Sequence, residues 1–101
     1  MTLVKLCKII AVSPGELKQF RVQGVEILII NVNNQFSCLD ARCTHAGAPL
    51  SEGEVSGDIL ICPWHGSQFN IKDGRVLKGP AENPLKVYPH ILKEDHVFVE
   101  L

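Results

Sequence analysis

Short apolar runs, many of them alternating with polar residues and separated by turn residues, dominate the chain. This pattern is typical of strands in small antiparallel sheets. The predicted strands cover residues 3–12, 17–22, 25–32, 35–39, 54–55, 59–62, 68–71, 75–77, 85–88 and 96–101. No segment has the period of an amphipathic helix, so the pattern predicts an all-β domain.

Turn residues mark the connections between these strands. Gln23-Gly24 and Asn33-Asn34 each join two predicted strands through two residues, the loop length that favours a tight β-hairpin. Ser13-Pro14-Gly15 ends the first predicted strand. The segment Gly79-Pro80-Ala81-Glu82-Asn83-Pro84 is rich in proline and glycine and is therefore predicted to be a loop.

The length and charge of the chain narrow its class. At 101 residues it fits one domain, and its net charge of −1, with acidic and basic residues interspersed, argues against a nucleic-acid partner. The longest apolar runs, Ile27–Ile30 and Ile59–Cys62, are too short to span a bilayer. Residues 1–12 contain Lys5 and Lys8 and precede no small-residue cleavage site, so we expect a cytoplasmic protein without a signal peptide.

The strongest chemical signal is a pair of motifs that mix cysteine and histidine. Cys43-Thr44-His45 is followed, after sixteen residues, by Cys62-Pro63-Trp64-His65. Each motif offers one thiolate and one imidazole, and residues that favour turns follow both. Two such loops, brought together by a hairpin, would close a four-ligand cage around a metal ion or a metal cluster.

The residues alone leave three interpretations of these motifs. Two disulfides would suit a secreted scaffold, but this chain lacks a secretory signal. One Zn²⁺ accepts any mixture of cysteine and histidine, although the common zinc finger places both histidines on a helix, for which the chain has no candidate. A [2Fe–2S] cluster with two cysteines on one iron and two histidines on the other needs one of each from both loops, as the motifs provide.

At the level of whole motifs the chain resembles a known family. Cys43-Thr44-His45-Ala46-Gly47 and Cys62-Pro63-Trp64-His65-Gly66-Ser67 resemble the two cluster-binding boxes of Rieske proteins. Gly79-Pro80-Ala81 with Pro84-Leu85 is similar to the proline-containing third loop that covers the cluster in that family. The resemblance implies an all-β Rieske domain of small antiparallel sheets, with a cluster-binding subdomain formed by two loops.

The same resemblance implies a cofactor and its ligands. A single Rieske domain would span residues 1–101, with the cluster-binding subdomain at about 42–82. It would hold one [2Fe–2S] cluster. Cys43 and Cys62 would bind one iron, and His45 and His65 would bind the iron that receives the electron.

Departures from the high-potential Rieske proteins of cytochrome bc complexes narrow the expectation. Ala48 and Trp64 stand where those proteins have the cysteines of an inter-loop disulfide. Ser67 matches a serine that donates to a bridging sulfide, but Phe69 replaces a tyrosine that donates to a ligand sulfur. Because donors to sulfur stabilise the reduced cluster, we expect a potential of roughly −150 to +50 mV. Trp64 is predicted to shield the cluster from water.

These departures make the chain similar to the soluble Rieske ferredoxins of oxygenase systems, such as the biphenyl dioxygenase ferredoxin type. The resemblance implies a monomeric, non-catalytic carrier that docks transiently. It would take one electron from an NAD(P)H-dependent flavoprotein reductase to a terminal, aromatic-ring-hydroxylating oxygenase. We expect no nucleic-acid or membrane partner. The alternative is the Rieske-like small subunit of a nitrite reductase, which would form a stable stoichiometric complex.

The remaining candidates receive no metal-binding role: Cys7, Cys38, His90, His96, Asp40 and Arg42. The two cysteines lie within strand patterns and are predicted to be buried, inert thiols. The two histidines lie in the C-terminal strands, and we expect surface or capping roles for them. Asp40 and Arg42 precede the first box and are expected to be solvated instead of forming an ion pair.

Overall fold

A computed structural model describes residues 2–101, which fold into short antiparallel strands. The strands are β1 Leu3–Lys8, β2 Leu17–Val22, β3 Val25–Val32, β4 Gln35–Asp40, β5 Glu54–Ser56, β6 Ile59–Ile61, β7 Gln68–Asn70, β8 Val76–Lys78, β9 His90–Lys93 and β10 His96–Glu100. Two short 3₁₀ helices, Ile9–Ala11 and Leu50–Glu52, are the only helical segments among these residues. The all-β prediction is confirmed.

The strands form three sheets. One sheet is the meander β2-β3-β4, and the second is β5-β6-β7-β8. The third joins the two ends of the described chain in the order β1-β10-β9. All pairings are antiparallel. Because the loops that carry the two motifs leave β4 and β6, the first two sheets position them.

Two-residue turns set the register of the β2-β3-β4 meander. Gln23 and Gly24 have φ values of 50° and 78°, and Asn33 and Asn34 have values of 51° and 67°. Positive φ at both central residues is the geometry of the type I′ turn, whose twist matches that of the flanking strands. Both hairpins predicted from the turn residues are therefore confirmed.

Strand β3 is buried on both faces and separates two hydrophobic clusters. Leu28 and Ile30 point into a cluster that also contains Cys43 and Cys62. Their neighbours on the opposite face, Ile27 and Ile29, belong to a second cluster together with residues of β10. Alternate side chains of one strand thus stabilise both the terminal sheet and the base of the loops that carry the motifs.

Several predicted strand boundaries were wrong. The first strand ends at Lys8 and not at Val12, because residues 9–11 turn into a 3₁₀ helix in which the Val12 N–H donates to the Ile9 carbonyl at 3.3 Å. The strand predicted at 85–88 makes a single bridge, between Val87 and Leu39. Apolar runs of this length do not distinguish a strand from an extended segment held by a few contacts.

Strand β9 is missing from the prediction. It pairs with β10 through a two-residue turn in which Glu94 and Asp95 have φ values of 51° and 63°. Glutamate is uncommon at positive φ, so the sequence does not signal this turn. The strand itself is four residues long and lies at the sheet edge, where Ile91 and Leu92 remain about half exposed and the alternating pattern is weak.

Asp40, at the end of β4, is bonded and not simply solvated as predicted. The Tyr88 hydroxyl donates to its Oδ1 at 2.9 Å, and the Lys86 N–H donates to its Oδ2 at 3.1 Å. Burial, followed by the neighbouring Asp40 carboxylate, raises the pKa of Tyr88 to about 12. These bonds attach the segment before β9 to the strand that leads into the first box.

The two cysteines outside the motifs lie in the second hydrophobic cluster. Cys38 is fully buried, and burial, with a smaller contribution from Cys7, raises the pKa of its thiol to about 12. Cys7 is partly buried, and burial also raises its pKa. High thiol pKa values suppress the reactive thiolate, as expected for inert core cysteines.

Among residues 2–101 the structure has no helix with the length and hydrophobicity that crossing a membrane requires.

A pH effect on stability is expected at His90. Burial lowers the pKa of this half-buried imidazole below its ordinary value of 6.5. The unfolded chain therefore binds the proton more readily, so His90 contributes stability that is present above pH 6.5 and is lost as the pH falls. His90→Asn should lose less stability than the wild type between pH 7 and pH 5 when urea midpoints are compared. An equal loss in both proteins would contradict this expectation.

Candidate metal centre

The first box is a closed turn between β4 and the short helix at 50–52. Cys43 N–H donates to the Ala48 carbonyl at 2.9 Å, and Gly47 N–H donates to the Cys43 carbonyl at 2.9 Å. Gly47 has a φ of 73°, a left-handed conformation that glycine adopts without steric cost. The turn thus places residues 44–46 at its outer end.

The second box repeats this turn between β6 and β7. Cys62 N–H donates to the Ser67 carbonyl at 2.8 Å, and Gly66 N–H donates to the Cys62 carbonyl at 3.3 Å. Gly66 has a φ of 75°, close to that of Gly47. Gly47 and Gly66 therefore close the same kind of turn in both loops. The cysteine of each motif is the first residue of its turn.

The two loops place thiols inside and imidazoles outside. Cys43 and Cys62 are only 4% and 3% exposed and lie in the hydrophobic cluster under the loops. His45 and His65 are exposed, and their ring centroids lie 5.1 Å apart with the ring planes at 83°. The structure therefore places the two thiols next to each other and, separately, the two imidazoles next to each other.

The electrostatics of Cys43 reflect its position. Burial raises the pKa of this thiol, and the adjacent Cys62 thiol raises it further. The backbone N–H groups of His45 and Ala46 act in the opposite direction and lower the pKa of the thiol. Amide donors directed at a sulfur favour its electron-rich form, and a metal-binding thiol must be deprotonated.

A third segment, residues 79–85, covers the loops and is bonded to both. The Ala81 N–H donates to Ser67 Oγ at 3.0 Å, and Thr44 Oγ1 donates to the Asn83 carbonyl at 2.6 Å. At its end, the Leu85 N–H donates to the Gly74 carbonyl at 2.9 Å. The sequence predicted a loop here, but it did not reveal that Thr44 connects the first box to it.

Ser67→Ala should weaken this cover. Ser67 is fully buried, and its loss leaves the buried Ala81 N–H without an acceptor, which costs about 1–3 kcal/mol. Urea unfolding should show this loss, whereas the exposed Ser56→Ala should change stability by less than about 0.5 kcal/mol. Equal stability of the two variants would contradict the assigned bond.

Burial differs among the three residues at which the chain departs from the Rieske proteins of cytochrome bc complexes: Ala48, Phe69 and Trp64. Ala48 and Phe69 are fully buried, so they fill the core under the loops. Trp64 is 56% exposed in the outer turn of the second box, which excludes a role as a core aromatic. Its predicted role in shielding a cluster stays a prediction.

Arg42 is bonded and not simply solvated as predicted. Its Nη1 donates to the Gly47 carbonyl at 3.1 Å, and its Nε lies 3.4 Å from Oε1 of Glu26 on β3. No local sequence pattern signals this pair, because Glu26 on β3 and Arg42 beyond the end of β4 lie sixteen residues apart. Arg42 therefore connects the first box to the β2-β3-β4 sheet, hereafter the central sheet.

The chain matches the family described as Rieske [2Fe-2S] domain over residues 2–89. The chain belongs to this family. Its cofactor is therefore a Rieske-type [2Fe–2S] cluster. The fold class and the resemblance found from the sequence are both confirmed.

Individual Rieske relatives are similar along nearly the whole chain. The biphenyl dioxygenase ferredoxin subunit of Pseudomonas sp. (strain KKS102) is 36% identical over 101 residues, which cover 99% of this chain and 93% of the relative. The structure of the Sphingomonas yanoikuyae B1 ferredoxin superposes with a TM-score of 0.93 at 29% identity and covers 99% of both chains. A chain from the complex of reduced oxygenase and oxidised ferredoxin in carbazole 1,9a-dioxygenase gives 0.87 at 35% identity, covering 96% of this chain and 91% of that one.

The donor set fits a Rieske cluster. In such a cluster each iron takes only two protein ligands. Two inner thiols and two outer imidazoles match this requirement.

Proposed function

We propose that the chain is the ferredoxin component of an aromatic-ring dioxygenase system and carries one electron per cycle. The observation that supports this most is the arrangement of two buried, adjacent thiols and two exposed, adjacent imidazoles on the two loops. When bound, a [2Fe–2S] cluster accepts and returns a single electron. One relative named above is a biphenyl dioxygenase ferredoxin subunit, and another chain comes from a complex of oxygenase and ferredoxin in carbazole 1,9a-dioxygenase.

The ligands we propose are the four motif residues. Cys43 and Cys62 would hold the inner iron, because their thiols are buried and adjacent. His45 and His65 would hold the outer iron, and their neutral imidazoles favour reduction there. With two protein ligands for each iron, the bound cluster would supply electron transfer and no binding position for a substrate. We therefore propose a carrier and not an enzyme.

The imidazoles would also provide the exit path for the electron. Because His45 and His65 are exposed, a docked acceptor can approach their ring edges without moving any covering side chain. The surface around them is partly apolar: Ala46, Pro63, Trp64 and Pro80 are exposed. Ala48 and Ala81 are buried and do not contribute to this surface. A small, mostly uncharged surface suits brief contacts between redox partners.

The proposed partners are a flavoprotein reductase that uses NAD(P)H and a terminal oxygenase, bound in turn by a monomer. One similar chain comes from a complex of an oxygenase with a ferredoxin. The similarity to proteins named as ferredoxins favours this role over the small subunit of a nitrite reductase. We further infer that residues 42–82 act as the cluster-binding subdomain within one domain, since both boxes and the Ala81 contact lie within them.

A reconstitution experiment tests the proposed role. The reduced, cluster-loaded chain is mixed anaerobically with the terminal oxygenase purified from the same cells, and reoxidation of the chain is followed by visible absorbance. We expect rapid reoxidation whose rate saturates with oxygenase, and elution of the native chain from cell extract at its own small size. Elution only in a stable stoichiometric complex with a large nitrite reductase subunit would contradict the proposal.

A further inference from the structure

The two boxes differ in how the backbone supports them. The second box lies between β6 and β7, and the ladder continues up to its base through the pair Ile61 and Gln68. The first box lacks such a ladder. Its base is a single bridge between Arg42 and Pro49, together with the bond from the Leu50 N–H to the Ala41 carbonyl at 2.9 Å.

Side chains supply the support that the backbone lacks at the first box. Besides the bond from Thr44 to the third segment, the Arg42 guanidinium spans the outside of the turn. Nη1 donates to the Gly47 carbonyl at 3.1 Å, while Nε and Nη2 face the two oxygens of the Glu26 carboxylate at 3.4 and 3.5 Å. Gln19 on β2 also bonds to that carboxylate through its side-chain amide.

We propose that Arg42 is a positioning residue that fixes the His45 loop relative to the central sheet through Glu26. This inference rests on the proposed role of His45 as a ligand. The guanidinium is planar and has several donors, so it can bond to the loop carbonyl and the sheet carboxylate together, whereas a lysine ammonium is a single point charge on a flexible stem. The Arg42 side chain is 54% exposed and that of Glu26 is 30% exposed, so the contribution of the pair to global stability is small. Its effect is local to the loop.

The proposal predicts that Arg42→Gln lets the His45 loop vary in position. The reduced, cluster-loaded variant should give EPR lines broader than those of the wild type, because the outer ligand adopts a range of geometries. Loss of visible absorbance in the presence of a chelator should be faster by about three- to tenfold, the scale of one ordinary, solvent-exposed hydrogen bond. Arg42→Lys should lie between Arg42→Gln and the wild type.

The chain offers a matched control. Lys72 and Asp58 form the other exposed ion pair among residues 2–101, at 3.5 Å, and neither lies in a box. Lys72→Gln should leave line width and cluster loss unchanged. Glu26→Gln keeps Arg42 and its bond to Gly47, so it should give a smaller change in the same direction and serves if Arg42→Gln does not fold.

The outcomes separate this proposal from the ligand assignment. The positioning role of Arg42 is supported if Arg42→Gln broadens the EPR lines, Arg42→Lys has an intermediate effect and Lys72→Gln has none. Wild-type behaviour of Arg42→Gln and Glu26→Gln would overturn it, as would a change in Arg42→Gln that Arg42→Lys fully reverses, since charge alone would then act. A wild-type protein without a Rieske signal would overturn the ligand assignment instead.

Discussion

His45→Cys is expected to abolish the Rieske signature of the protein. His45 lies at the exposed end of the first box, and we assign it to the outer iron. A thiolate adds a negative charge in place of a neutral imidazole. Clusters with only thiolate ligands have potentials of about −400 mV, well below the Rieske range. The purified variant should therefore contain either no cluster or a cluster whose spectrum resembles the all-thiolate type.

A matched variant separates ligand loss from the mere addition of a cysteine. His96 lies in β10, outside both boxes, and its Nδ1 is 2.9 Å from the Glu94 carbonyl oxygen. His96→Cys should keep the wild-type absorbance and EPR spectra. An unchanged spectrum in His45→Cys would refute the assignment of this ligand.

Gly74→Ala is expected to give the second large effect, on stability. Gly74 has a φ of 78°, and an added Cβ would lie 2.0 Å from the Leu85 carbonyl oxygen. Backbone atoms on both sides make this overlap difficult to relieve, and Leu85 ends the segment that covers the boxes. We expect a loss of about 3 kcal/mol or more in unfolding free energy, together with faster loss of the cluster.

Gly24→Ala is the control for backbone strain alone. Gly24 has the same φ of 78°, but an added Cβ would meet no atom within 4 Å. Its substitution should cost only the left-handed conformation, about 1 kcal/mol. Urea unfolding followed by circular dichroism compares the two variants. Equal losses would show that the contact between Gly74 and Leu85 has no energetic role.

The sequence predicted most of the strands, because a strand that is buried on one face has alternating apolar and polar residues. The β2-β3-β4 meander was predicted with both of its turns, since Gly24 and the two asparagines adopt positive φ readily. Strand β9 was not predicted, because its turn uses Glu94 and its side chains are half exposed. The end of β1 was misplaced, because apolar residues continue through the 3₁₀ helix that follows.

For the candidate site, spacing predicted the residues but not their arrangement. The motifs identified Cys43, His45, Cys62 and His65, and the structure pairs the two thiols with each other and the two imidazoles with each other. That the thiols point inwards and the imidazoles outwards follows from the turns closed by the two glycines, which spacing alone does not describe.

The bonds that hold the site were beyond sequence reasoning. Arg42 with Glu26, and Asp40 with Tyr88, join residues that lie far apart in the chain. Such pairs depend on strand register and on the path of the later segments. Local sequence pattern contains neither.

We assign two cysteines and two histidines of this chain as the ligands of its Rieske [2Fe–2S] cluster. The most direct test is EPR of the dithionite-reduced protein, combined with iron and acid-labile sulfide analysis. We expect a red-brown protein with iron and sulfide in the 2:2 ratio of the cluster, and an average g value characteristic of Rieske centres. A colourless protein with one zinc per chain, or a reduced signal of the all-cysteine type, would contradict this assignment.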